Sequence, residues 1–382
     1  MSAAADQPIR RLPIALGFGL RLVFGAALGL ALLYGGLVLY QSAGAGTLGF
    51  DFRAYDLAVD RLLAGQSMYD PNAQATGGFG LFFYPPPFAL LILPVALLPT
   101  ELAVLAWTGL LVAVSAAGIA LFPVSTRTRW IVLLLAALSW PLLYAIKLGQ
   151  VGPMLLLLYA IGWRWMDRPW PFGVSMGIGT IIKLQPALLV GWAAVTGRRR
   201  AALIAVGVVA ALAVVGTLVA GPQAWLDEAS LLGRVSRPIE TPAAYGLGRL
   251  AFEAGLGADT ALLVHWANLA LVVAVTAFAV WRGSAVASFL AVAVASQFVS
   301  PVLWDHYALI LLLPVAWLME RGRWWAAAIP LVTSTPVVGL NPPISYPAAF
   351  WVTLLAVTWE GLRERRAPQS SDAGPSLVAA GA

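Results

Sequence analysis

Asp51 stands immediately before a run in which Phe52, Tyr55, Val59 and Leu62 recur at helical spacing, with Arg53, Asp56, Asp60 and Arg61 on the other face and Gly65 ending the pattern. The run predicts an amphipathic helix lying along a membrane surface. The carboxylate before it has two readings. As an N-cap it satisfies backbone N–H groups at the helix start. As a general base at the bilayer edge, it gains basicity from partial desolvation and can take a proton from a hydroxyl. Both hold together only if the carboxylate stays within reach of a substrate.

Among 23 Lys and Arg residues only Lys147 and Lys183 are lysines, and both lie in apolar surroundings. Snorkelling of the ammonium to the headgroups is the bland account. The alternative is a pair of point charges for a lipid-linked phosphate, since ionisable residues within membrane segments are candidates for function. The two histidines, His265 in Val264-His265-Trp266 and His306 in Trp304-Asp305-His306-Tyr307, are each readable as an interfacial ring making one hydrogen bond. With scattered carboxylates they supply too few ligands for an evident metal site. There is no Asp-x-Asp pair, no P-loop and no cysteine, so nucleotide-sugar, ATP and thiolate chemistry lack sequence support.

The elements that must position these groups are membrane helices. The chain of 382 residues is 60% hydrophobic and 10% charged, against about 25% charged residues in soluble domains. The net charge of +6 is spread in clusters rather than presented as a nucleic-acid surface, and nucleic acid is not expected as a partner. Lys and Arg favour cytoplasmic loops. Placing Arg10/Arg11, Arg127/Arg129, Arg164/Arg168, Arg198–Arg200, Arg282, Arg321/Arg323 and Arg363/Arg365/Arg366 inside gives spans near 15–40, 100–122, 130–146, 151–166, 171–183, 184–197, 201–220, 262–281, 283–300, 307–319, 324–340 and 346–362.

The expected fold is therefore an all-α integral membrane protein, a polytopic bundle of about twelve transmembrane helices with amphipathic helices at the outer face. Pro186 predicts a broken or re-entrant pair around 171–197, and Pro85–Pro99 a short surface helix. Residues 1–366 read as one domain with outer loops at 41–99 and 221–261, and 367–382 as a disordered cytoplasmic tail. Both termini fall inside, and the candidate chemistry falls at the extracytoplasmic face of a multi-pass plasma-membrane protein.

Phe50-Asp51-Phe52 through Leu63-Ala64-Gly65 and Tyr69, then Phe83-Tyr84-Pro85-Pro86, Leu148-Gly149-Gln150, Ile182-Lys183-Leu184-Gln185-Pro186 and Ser300-Pro301 through His306 run in an order that resembles glycosyltransferase family 87. This is the polyprenol-phosphate-mannose-dependent α-mannosyltransferase type of the C-type glycosyltransferases. The likeness implies a C-type glycosyltransferase-like fold with Asp51 as catalytic base. It also implies Lys147, Gln150, Lys183, Gln185, His306 and Tyr84 around the donor's phosphate and sugar. Tyr307 departs from the family pattern, which often has a second histidine there.

The activity implied is inverting, metal-independent transfer of a hexose, mannose by resemblance, from a polyprenyl-phosphate sugar to a lipid or glycan acceptor. No cofactor enters, and the bilayer, the donor lipid and a glycolipid or glycan acceptor are the partners. Two rivals predict otherwise. A transporter or lipid flippase would gather its polar groups near the midplane between repeats, and a non-catalytic envelope scaffold would tolerate loss of the Asp51 charge.

Overall fold

The computed structural model describes residues 14–72, 81–334 and 339–366; the expectations for Arg10, Arg11 and the 367–382 tail lie outside the described residues. Glycine and proline punctuate the helices. α1 (Ile14–Gly44) runs to Gly44-Ala45-Gly46, and α2 (Phe50–Leu63) starts from Gly49 and stops before Gly65. α3 (Pro86–Ala96) opens on Pro86 and Pro87, where missing N–H groups cost nothing, and α4 (Thr100–Leu121) follows Pro99.

α5 (Thr126–Leu138) and α6 (Trp140–Leu148) meet at a 62° bend. Pro141 is the cause, because its ring excludes a continuous hydrogen-bond ladder through Ser139. α7 (Gly152–Arg164), α8 (Pro169–Ile182) and α9 (Ala187–Val195) follow, and α8 and α9 are separated at Lys183–Pro186, where the sequence predicts a break. α10 (Arg199–Ala220), α11 (Gln223–Val235), α12 (Leu247–Glu253), α13 (Ala258–Arg282) and α14 (Ala285–Phe298) lead to a 3-10 segment, Asp305–Leu311. α15 (Leu312–Glu320), a second 3-10 turn at Trp324–Ala328, α16 (Ile329–Val332) and α17 (Ser345–Arg366) complete the described chain.

Among the described residues, four helices are long and apolar enough to cross a membrane: α1 from Arg21, α4, α10 and α13, with the bent α5–α6 pair as a fifth. Length and composition thus support fewer than the twelve crossings expected. The difference lies in helices such as α7, α8 and α14, whose 13–14 residues reach only about 20 Å. α14 is buried along its length, so its apolar character answers to protein rather than to lipid. In contrast, α10 and α13 expose Leu203, Leu218, Leu263 and Leu271, as lipid-facing helices of a multi-pass membrane protein do.

Among the described residues, the basic clusters expected on one side share one face. Arg321 pairs with Glu364, Arg323 with Glu360 at 2.8 Å, and Arg365 donates to the Trp281 carbonyl at 2.6 Å. Ser125 donates to Glu320 at 2.8 Å, bringing in the start of α5, and one cavity is lined by Arg164, Arg168 and Arg321 together. α4 joins this face, at its C-terminal end, to the neighbourhood of α2, at its N-terminal end. Its 22 residues span about 33 Å, close to the hydrocarbon thickness of a bilayer.

α2 is amphipathic as expected, but its apolar face is covered by protein. Phe52 stacks on Trp107 of α4 (5.2 Å between centroids) and Tyr55 meets Phe88 of α3 edge-on (5.4 Å). Asp56, expected on the polar face, is buried, with the Thr100 side chain at the start of α4 acting on its carboxylate.

Candidate active site

Asp51 lies in the first turn of α2, one residue inside the helix rather than before it. The N-cap is Gly49, in the left-handed region (φ 69°, ψ 29°) and with no side-chain capping bond. Glycine takes that conformation without steric cost, so the helix begins earlier than expected and the N-cap reading of Asp51 falls. The carboxylate is left for another partner. Gln150 Nε2 donates to Asp51 Oδ2 at 2.5 Å, and Oδ1 carries no hydrogen bond among the described residues.

Gln150 follows the left-handed Gly149 (φ 79°) that ends α6. Its oxygen accepts from Tyr84 at 3.1 Å, and the Tyr84 hydroxyl lies 2.7 Å from that of Tyr55. The turn is tied to α2 and α4 by two backbone contacts: Gly49 N–H donates to the Lys147 carbonyl at 2.8 Å, and Trp107 Nε1 to the Gly149 carbonyl at 2.8 Å. A Cβ at Gly149 would stand 2.7 Å from Phe52 Cβ, so this approach requires glycine.

Opposite lies the 3-10 segment. His306 is 5% exposed, and both ring nitrogens are buried without a hydrogen-bond partner. Its neighbour Asp305 is fully engaged: Oδ1 accepts from the His306 backbone N–H at 2.9 Å and Oδ2 from Trp140 Nε1 at 3.1 Å. The His306 Nδ1 lies 3.5 Å from Asp305 Oδ1. Tyr346 holds the segment from behind, donating toward the Trp304 and Asp305 carbonyls and accepting from Ala308 N–H. Lys183, at the C-cap of α8, places its ammonium 4.2 Å from the ring centre of Tyr307.

Burial pushes the Asp51 carboxyl above its ordinary range; the positive field of His306, the Gln150 amide N–H and Lys183 pull it back, while Asp305 adds a further push upward. Gln150, Lys183 and His306 therefore all act on Asp51. Tyr84 belongs to the same group but touches Gln150, not the 3-10 segment. Lys147 does not converge in the same way. It contributes its carbonyl to Gly49, its ammonium lies 5.8 Å from the Tyr144 ring, and it is not among the charges acting on Asp51. Gln185 keeps a buried side-chain oxygen without a partner, and no described contact ties it to Asp51. His265 packs beneath Gly248 of α12, where a Cβ would meet His265 Cβ at 2.6 Å. No group of three or more His, Asp or Glu side chains among the described residues is arranged to hold a metal ion.

Three participants were not singled out from sequence: Tyr55, Asp305 and Trp140. Tyr55 had a readable signal, since it follows Asp51 by four residues and so shares its helix face. The Trp140–Asp305 bond joins residues 165 apart and had none.

The family model for glycosyltransferase family 87 matches residues 82–303. The chain is 26% identical over 304 residues to a polyprenol-phosphate-mannose-dependent α-(1-2)-phosphatidylinositol mannoside mannosyltransferase of Mycobacterium tuberculosis, covering 71% of this chain and 70% of that protein. It is 31% identical over 297 residues to a polyprenol-phosphate-mannose-dependent α-(1-2)-phosphatidylinositol pentamannoside mannosyltransferase of Mycolicibacterium smegmatis, covering 71% and 69%. No solved structure matches it. With more than half of its length inside the family model and this likeness spanning most of two relatives, the chain is a glycosyltransferase and belongs to family 87.

Proposed function

We propose that the protein transfers mannose from a polyprenyl-phosphate mannose donor to a mannosylated lipid or glycan acceptor, with inversion, at the extracytoplasmic face of the cell membrane. One observation carries the reading: Asp51 offers a partly desolvated carboxylate oxygen with no hydrogen bond among the described residues, within the field of Lys183 and of a buried His306 whose two nitrogens lack hydrogen-bond partners. Buried polar nitrogens without partners are costly, and a bound ligand would satisfy them. The acceptor hydroxyl gives its proton to Asp51, its oxygen attacks C1, and the C1–O bond to phosphate breaks with the electron pair leaving on the lipid phosphate. Lys183 offsets the charge gathered there and His306 supplies a hydrogen bond, so neither metal nor cofactor enters.

The named donors and acceptors of the two relatives support the substrate classes. Positive-inside placement of the shared basic face, with Asp51 at the other end of α4, supports this side and a cytoplasmic location for both termini. Under this reading residues 1–366 form one membrane domain in which the short helices complete the spans.

The test is transfer by the purified protein from a polyprenyl-phosphate mannose to a phosphatidylinositol mannoside extract, read as a mass shift of the acceptor. Asp51→Asn is expected to lower the rate by ~100-fold or more, the range for loss of a general base, with membrane insertion intact. Undiminished transfer by that variant would refute the role of Asp51. Transport of the donor lipid without transfer would favour the flippase reading.

A further inference from the structure

Four buried or half-buried polar side chains lie in a row that ends on the Asp51 carboxylate, and their donor directions are determined. An ionised carboxylate only accepts, so the amide nitrogen of Gln150 must face Asp51 and its oxygen must face Tyr84. The amide oxygen cannot donate, so the single Tyr84 hydrogen goes to Gln150. Tyr84 is then the acceptor from Tyr55, at 2.7 Å. The row reads Tyr55 to Tyr84 to Gln150 to Asp51, every bond pointing one way.

Its outer members are well sequestered: Tyr55 is 1% exposed and Tyr84 4%. Tyr84 is also held by its own carbonyl, which accepts from Tyr69 at 2.7 Å. Both tyrosine hydroxyls are shifted upward by burial and remain neutral donors. Only the second hydrogen of Gln150 Nε2 has no role in the row.

We infer that Gln150 is a positioning residue for Asp51, held in one amide orientation by Tyr84 and Tyr55, rather than a ligand of the donor phosphate. This rests on the reading of Asp51 as the base. The device does two things. It keeps one carboxylate oxygen occupied, so that the other is aimed at the acceptor hydroxyl. It also supplies an N–H that favours the ionised carboxylate against the upward push of burial. The turn that carries Gln150 is itself anchored through Lys147 and Gly149, which makes the amide a rigid support.

The experiment is steady-state kinetics of full-length protein in nanodiscs with polyprenyl-phosphate mannose and phosphatidylinositol mannosides, across pH, for Gln150→Leu, Tyr84→Phe and Asp51→Asn. Gln150→Leu is expected to lower kcat by ~10-fold or more, the effect of losing one hydrogen bond to a charged group, while KM for both substrates stays within about 3-fold. The acid limb of kcat/KM should move to higher pH, because the carboxylate has lost a group that favours its ionised form. Tyr84→Phe should show the same signs at smaller size, and it carries the test if Gln150→Leu does not fold.

A rise in donor KM with kcat and the acid limb unchanged would overturn the inference and return Gln150 to the phosphate. A dead Asp51→Asn beside fully active Gln150→Leu and Tyr84→Phe would overturn it alone. An active Asp51→Asn would remove the base reading beneath it.

Discussion

Asp51 and Tyr55 sit one turn apart on α2, yet they communicate through Tyr84 and Gln150 from two other segments rather than directly. This explains which residues were legible. Asp51, Lys183 and His306 stand out because ionisable side chains are rare in so apolar a chain. Tyr55 reads equally well as part of an apolar stripe, and only a partner 29 residues away makes its hydroxyl matter. Lys147 and Lys183 look alike in sequence but differ in the fold. We expect Lys183→Met to raise the donor KM more than the acceptor KM, because its ammonium lies over Tyr307 and within the field of Asp51. The same change at Lys147 should be milder. Equal changes in both Michaelis constants for Lys183→Met would contradict this.

At the scale of elements, α8 matters most because Lys183 is its C-cap. α8 packs against α10 through Gly173 and Gly177, four apart on one face; a Cβ would stand 2.7 Å from the Ala201 carbonyl at the first and 2.8 Å from that of Ala205 at the second. This is the small-residue packing that lets membrane helices approach closely. Gly177→Leu is expected to cost about 1–3 kcal/mol by overpacking and to lower the thermal midpoint of the detergent-solubilised protein. It should also weaken donor use, since α8 cannot shift without Lys183. An unchanged midpoint would show that the interface yields without cost. The break at Lys183–Pro186 was legible from Pro186 alone, whereas the start of α2 was not. A glycine two residues before an aspartate is compatible with either residue as the cap, and only its left-handed dihedrals decide.

For the whole molecule, hydropathy conveys that helices are buried but not in what. Apolar runs of 13–14 residues such as α7 and α14 read as crossings in sequence, yet as single helices they are shorter than a full span. The grouping of basic residues was more informative: clusters distributed from Arg127 to Arg365 meet on one face, away from the start of α4. The chain contains no cysteine, so single cysteines report location without background. A cysteine replacing exposed Leu57 should react in intact cells with a membrane-impermeant maleimide, and one replacing Arg168 only after lysis. The reverse pattern would invert the proposed orientation.

The occupied and unoccupied oxygens of Asp51 bear on product structure as well as on rate. The hydroxyls around a sugar ring differ little in acidity, so chemistry alone offers scant reason to choose among them. A base with one open carboxylate oxygen, fixed in direction by its neighbours, can select by direction. Under the proposed function, uniform linkage in the product would then originate in an amide whose orientation is determined by two buried phenols, and the linkages formed by Gln150→Leu would show what happens when that direction is lost.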